Sequence, residues 1–183
     1  MTGAMRRDHT GLLFLGSTLL SGAVAPFRMY GGDNAKNGRF PMTRIARCCC
    51  GSLRAEVTGE PWIVAICHCT ECQRRTGSAF GASAHFPKEQ VRIEGPSKVY
   101  VRASDSGRKV EFHFCPDCGT SVFWYAEVRP DHIGIASGTF ADPLMPWPTV
   151  SIWETTRHPW VTFDHPVDRF TDQSSTPATP ATG

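Results

Sequence analysis

The sequence predicts a mainly β domain built around thiol-bound metal. Two observations point there. Short runs of alternating apolar and polar residues recur through the middle of the chain, separated by turn residues. Cysteines stand in three tight groups: Cys48-Cys49-Cys50, Cys67-His68-Cys69 with Cys72, and Cys115-Pro116-Asp117-Cys118. Cysteines two or three apart are poorly placed to bridge each other and well placed to share an ion. Eight cysteines in 183 residues are also sparse for a disulfide scaffold. A disulfide framework in a secreted protein is the alternative, and the spacings oppose it.

The length suits one domain with a tail or two. Apolar and charged fractions of 40% and 20% are ordinary for a globular chain with a core. A formal net charge of +2 is too small to argue for a nucleic acid or an acidic membrane as partner.

Taken in order, residues 1–25 have the outline of a secretory signal: Arg6 and Arg7, a mildly apolar stretch, then Ala23-Val24-Ala25. The apolar stretch is interrupted by Gly16, Ser17, Thr18, Ser21 and Gly22 and is too short to span a bilayer. The favoured reading is an upstream extension, with Met29 or Met42 as the true start. Reduced thiols then place the protein in the cytoplasm rather than the periplasm or outside the cell. Residues 26–41 lack an apolar period and read as linker, so the extension is 1–41 and the domain 42–170. Leu53, Ala55 and Val57 alternate with Arg54, Glu56 and Thr58 as in a half-buried strand. After the turn Gly59-Glu60-Pro61, the run Trp62-Ile63-Val64-Ala65-Ile66 reads as a buried strand delivering Cys67. Residues 70–75 form a short helix or tight loop that Gly77 ends. Phe80, Ala82, Ala84 and Phe86 alternate up to Pro87, and Val91 and Ile93 alternate again. Turns at Gly95-Pro96-Ser97 and Ser104-Asp105-Ser106-Gly107 bracket Val99-Tyr100-Val101. Val110, Phe112 and Phe114 lead to Cys115. Residues 121–125, 132–137 and 150–153 complete the set of strands. From Asp172 on, Ser, Thr, Pro, Ala and Gly dominate, and 171–183 is expected to be a disordered tail.

Cys115-Pro-Asp-Cys118-Gly119 has the spacing of a zinc knuckle. Cys48 and Cys50, also followed by a glycine, are the obvious completing pair. Four thiolates close the shell of a zinc ion and make a structural site. Cys67, Cys69 and Cys72 remain as a second zinc site, so two ions per chain are expected. Three ligands from one loop leave a fourth position for chemistry, and Arg74 and Arg75 sit where they could bind a substrate carboxylate. The opposing possibility is that this site is also closed, with Cys49 or a histidine as fourth ligand. Cys49 itself reads as a spare thiol. His68 should point away from its neighbours' metal, as a surface or hydrogen-bonding side chain. His113 is expected to be exposed, with a place beside the metal ligands as the alternative. Trp124, Trp153 and Trp160 are expected in the core, with a pocket lining as the alternative. No Gly-rich phosphate loop, serine-nucleophile elbow or evident general base is present.

At these residues the chain resembles the glutathione-dependent formaldehyde-activating enzyme family, which includes the centromere protein V group. The matching stretches are Cys48-x-Cys50-Gly51, Cys67-His68-Cys69-x-x-Cys72-x-Arg74-x-x-Gly77 and Phe114-Cys115-x-x-Cys118-Gly119. The match continues through residues 134–143 and Pro159-Trp160 and covers roughly 44–165. The chain departs from the family at Ala46, where a glycine is common, and in the triple 48–50. The resemblance implies small stacked antiparallel sheets around the zinc sites, a fold shared with B-type methionine sulfoxide reductases. It implies the same partition of thiols, structural at Cys48, Cys50, Cys115 and Cys118 and reactive at Cys67, Cys69 and Cys72. The activity implied is formation or cleavage of the carbon–sulfur bond of S-hydroxymethylglutathione. A zinc-stabilised binding module without chemistry and a thiol redox protein forming a mixed disulfide at Cys69 are the alternatives.

Overall fold

The computed structural model of the chain describes residues 42–173. The expectations for the extension 1–41 and for tail residues 174–183 lie outside them. Besides three short 3-10 helices (Lys88–Gln90, Ser137–Phe140 and Glu154–Thr156), the regular structure there is eleven short strands and one α-helix: β1 (Thr43–Arg47), β2 (Arg54–Thr58), β3 (Ile63–Cys67), α1 (Thr70–Thr76), β4 (Gly81–Pro87), β5 (Val91–Glu94), β6 (Lys98–Ala103), β7 (Lys109–Phe114), β8 (Ser121–Ala126), β9 (His132–Ala136), β10 (Val150–Ile152) and β11 (Asp168–Arg169). Among the described residues no helix is long and apolar enough to cross a membrane.

The strands form two sheets. The smaller is antiparallel with order β1-β2-β5; the larger runs β11-β10-β3-β4-β9-β8-β7-β6. The larger is antiparallel except at one edge, where β10 runs parallel to both β3 and β11. The mainly β architecture read from the alternating runs is therefore the one observed.

The main core lies where Ala55 and Val57 of β2 and Leu53 just before it meet Ala84 and Phe86 of β4 and Ile133 and Ile135 of β9. Strand pleating turns the intervening residues to the opposite face. On β4 these are Ser83 and His85, both buried although polar. The central position of β4 therefore leaves neither of its faces to solvent, and the second face looks onto a cavity.

β1 has no apolar pattern in the sequence because its burial runs against hydropathy. Ile45 is exposed while Arg44 is buried. Arg44 is accommodated by hydrogen bonds from its Nη1 to the Gly59 carbonyl (3.2 Å) and from its Nη2 to Glu60 (3.1 Å). A buried guanidinium is tolerated only with such partners. β11 is two exposed residues and offers no pattern either.

Candidate metal centre and its cavity

Two turns of matching design bring four thiols together. After Cys48, Gly51 adopts φ +84°, and its N–H returns to the Cys48 carbonyl at 3.0 Å. After Cys115, Gly119 adopts φ +74°, and its N–H returns to the Cys115 carbonyl at 3.0 Å. Left-handed φ favours glycine, which explains the residue following each pair. The Sγ atoms of Cys48, Cys50, Cys115 and Cys118 all lie within 4.8 Å of one another. Cys48–Cys50 and Cys50–Cys115 are 3.5 and 3.6 Å apart. A tetrahedral shell at the usual zinc–sulfur length of about 2.3 Å has edges of about 3.8 Å, so this donor set fits zinc. The Ser52 hydroxyl lies 3.1 Å from Cys50 Sγ and 3.2 Å from Cys115 Sγ, and the Leu53 N–H donates to Cys48 Sγ at 3.3 Å. Hydrogen bonding with Thr120, through its hydroxyl and its backbone N–H, holds the Cys118 thiol down to about 5. The side chain of Cys49 is exposed and outside both thiol clusters, while its N–H donates to Thr120 Oγ1 at 3.2 Å and so ties one turn to the other.

The second cluster is local. Cys67 ends β3, Cys69 is the N-cap of α1, and Cys72 lies one turn later, where an i,i+3 neighbour shares a helix face. Cys69 Sγ accepts the Cys72 N–H at 3.4 Å. Gly77, at φ +64°, closes the helix with its N–H on the Gln73 carbonyl at 2.8 Å. The three Sγ atoms lie within 4.8 Å of one another. Packed so closely, the thiols share charge unevenly. Hydrogen bonds from Cys67 and Cys72 hold the Cys69 thiol at about 2, while donation to Cys69 pushes Cys67 up. Three thiols this close are a soft donor set, the kind that selects zinc and similar ions.

His68 is neither on the surface nor in the cluster. It is wholly buried, with Nε2 3.2 Å from Ser151 Oγ, and Ser151 in turn donates to Glu154. The surface alternative in the sequence reading is thus corrected. His68 N–H donates to the Ile152 carbonyl at 3.0 Å, and its own carbonyl accepts from Gln73 Nε2 (2.7 Å) and Thr156 Oγ1 (2.8 Å). The thiol loop is therefore fixed through the residue between its first two cysteines. Burial would raise the Glu154 carboxyl, but hydrogen bonds from Ser151 and Arg157 hold it below its ordinary value.

All three thiols open onto a cavity of about 950 Å³ that covers the second face of the larger sheet. Arg75 lies in it and Arg74 does not line it. Arg74 points to solvent and pairs with Glu71 at 2.5 Å. The Arg75 guanidinium stacks over Phe112 (5.1 Å) and Trp124 (5.0 Å), and its buried Nε has no hydrogen-bond partner. Ser83 and His85 line the cavity too. Ser83 donates to the Ala65 carbonyl at 3.4 Å, so His85 Nε2, 3.2 Å from Ser83 Oγ, is the donor of that pair. Burial, with Arg129 and His132 adding to it, pushes His85 down to about 3 and keeps the imidazole neutral. No sequence motif flagged this pair. The available signal was two polar residues at alternate positions of a strand whose other parity is apolar.

Trp124 and Trp153 line the cavity, whereas Trp160 is 69% exposed and not in the core. His113 is half-buried rather than exposed, because its cross-strand partner is Phe123 and the two rings stack at 4.4 Å. Trp124 lies flat across β9 because its partner there is Gly134. A Cβ at Gly134 would stand 2.3 Å from the indole. Gly134→Ala should therefore lower the melting temperature by several degrees, the consequence of an overpacking of about 1–3 kcal/mol, and shift the tryptophan fluorescence. An unchanged melting point and spectrum would show that the indole is not held over β9.

Comparison with known proteins follows the same residues. No curated protein matches the chain significantly. A crystal structure of a Rhodobacter sphaeroides protein, a structural-genomics target, is similar at 20% identity over 54% of this chain and 91% of that one, with a TM-score of 0.43. The model of the family described as glutathione-dependent formaldehyde-activating enzyme matches residues 43–156, which include all eight thiols, seven of them in two clusters that could hold metal. That span is well over half of the chain, and the chain belongs to the glutathione-dependent formaldehyde-activating enzyme family.

Proposed function

We propose that the chain is a zinc-dependent carbon–sulfur lyase that forms or cleaves a thiol adduct of formaldehyde or a related aldehyde, with glutathione as the thiol. The observation that carries the reading is the three-thiol cluster opening onto a large cavity that also holds Arg75. Cys67, Cys69 and Cys72 would hold the reactive zinc, and Cys48, Cys50, Cys115 and Cys118 the structural one. Bound zinc would supply a soft Lewis acid that stabilises a thiolate at neutral pH. The reaction joins the thiol sulfur to the carbonyl carbon and moves the thiol proton to the former carbonyl oxygen. It needs no oxidant.

The chain's own groups support that chemistry in two ways. Arg75 is shielded by two aromatic rings, and burial strengthens its pairing with a carboxylate. The neutral His85 and Ser83 give the floor hydrogen-bonding groups without a further charge. Arg75 takes over the substrate-anchoring role, with Arg74 outside the cavity as a contributor to net charge. The active domain is 42–170, and its reduced thiols suit the cytoplasm.

Titration calorimetry with glutathione tests the reading. A charge-assisted pair is worth about 1.5–3 kcal/mol, so Arg75→Glu should weaken binding about tenfold or more. Arg74→Glu makes the same change of net charge outside the cavity and should weaken it less. Absence of binding at millimolar glutathione, together with no rate above the spontaneous one, would favour a zinc-stabilised binding module.

A further inference from the structure

A hydroxymethyl group on sulfur is small and polar, and the cavity wall beside the thiols is neither. Ile152 stands directly opposite Cys67 in the β3–β10 ladder, and Val150 opposite Ala65. With Ile63 they form an apolar cluster against which Cys67 and Trp153 pack. Ile63, Ala65 and Cys67 share one parity of β3, so they present a row of side chains about 13 Å long that starts at the thiols. Every one of these residues lines the cavity.

The cationic side is elsewhere. Arg75 and Arg102 both lie over Phe112 of β7, at 5.1 and 5.7 Å. Strand order separates β7 from β3 by β4, β9 and β8. The thiols join the two sides. Gly81, paired with Cys67, is the point where Arg75 and Cys72 meet: a Cβ there would be 3.1 Å from Arg75 Nη2 and 3.6 Å from Cys72 Sγ. A glutathione held by its carboxylates toward Arg75 and Arg102, with its sulfur at the cluster, leaves the apolar side to whatever the sulfur carries.

We infer that the preferred adduct carries an alkyl or aryl group on the sulfur-bound carbon, and that the aldehyde is larger and more apolar than formaldehyde. The inference rests on the thiol-adduct reading above. The chemistry is unchanged and balanced: the aldehyde and the thiol combine, one carbon–sulfur bond forms as the carbonyl π bond breaks, and the thiol proton ends on oxygen. Formaldehyde reaches none of the row from Cys67 to Ile63, whereas a chain of several carbons lies along it and leaves water for an apolar wall, and contact of that kind strengthens binding.

Stable thioethers test this without turnover. S-methylglutathione and S-hexylglutathione are titrated by calorimetry into the protein as purified with its metal. The hexyl compound should bind at least about tenfold tighter, since each buried methylene favours binding. Ala65→Phe, which fills the apolar side, should bring the ratio towards one. If that variant does not fold, Val150→Thr replaces a methyl by a hydroxyl at nearly constant volume and should lower the ratio severalfold. Equal binding of the two thioethers by the unaltered protein would overturn the inference and leave the glutathione reading standing. Binding of neither at millimolar concentration would also overturn the inference, and the titration with glutathione itself then decides the reading on which it rests.

Discussion

Cys118→Ser should leave little folded protein, or a melting temperature lower by more than about 10 °C. As the structural site proposed above, the four-thiol set would be of the closed kind and would make the metal part of the fold. Apparent binding energies for structural zinc are roughly 10–16 kcal/mol, as large as the whole net stability of a domain at about 5–15 kcal/mol. The set also joins the turn between β1 and β2 to the turn between β7 and β8, alongside the hydrogen bond from the Cys49 N–H to Thr120. Serine keeps the volume and loses the thiolate, so its effect reports on the metal rather than on packing. Thermal unfolding and metal content are measured together. A variant that melts like the parent and keeps two zinc ions per chain would refute the structural assignment.

Cys69→Ser should do the opposite: the fold stays, one zinc of two is lost, and S-hydroxymethylglutathione formation returns to the spontaneous rate. The fold stays because the loop is held from outside the cluster, through the backbone of His68 to Ile152, Gln73 and Thr156. The helix stays as well. Cys69 is its N-cap, a position serine fills better than cysteine, because a hydroxyl oxygen is the stronger acceptor for the first-turn N–H groups. The reactive centre is lost because two thiols and a serine are a poor set for zinc. Should the variant melt as low as Cys118→Ser, or keep both its metal and its rate, the division of labour between the clusters would be wrong.

Much of this molecule is legible in its sequence, for identifiable reasons. Alternation exposes strands such as β2 and β4, whose apolar residues face the main core. Spacing and glycines expose the thiol groups, because their geometry is local. What escapes reading is whatever is decided by a distant partner. β1 hides because Arg44 is buried by Glu60 and the Gly59 carbonyl while Ile45 faces out. His68 hides because Ser151, far along the chain, turns a polar side chain into a buried brace. Arg74 and Arg75 are equivalent as letters, and only the direction of α1 sends one to Glu71 and the other over Phe112 and Trp124. The cavity is the extreme case, since its walls come from strands that meet only across the larger sheet.

The two thiol clusters differ in how far apart their members lie along the chain. Cys67, Cys69 and Cys72 fit in one short segment, whereas Cys50 and Cys115 are 65 residues apart. An unfolded chain presents the local set almost ready-made, so an ion there binds folded and unfolded chains nearly alike and moves the folding equilibrium little. The distant set must first close a long loop, at an entropic cost on the order of 4 kcal/mol, so an ion there is bound only by chains that have folded. During synthesis the local set is complete well before Cys115 has been made. On the two-site reading proposed above, metal would therefore enter the life of this protein twice, once as passive cargo on a nascent chain and once as the last step of folding. On the same reading, scarce zinc would leave chains that carry an ion at residues 67–72 and are still without a fold.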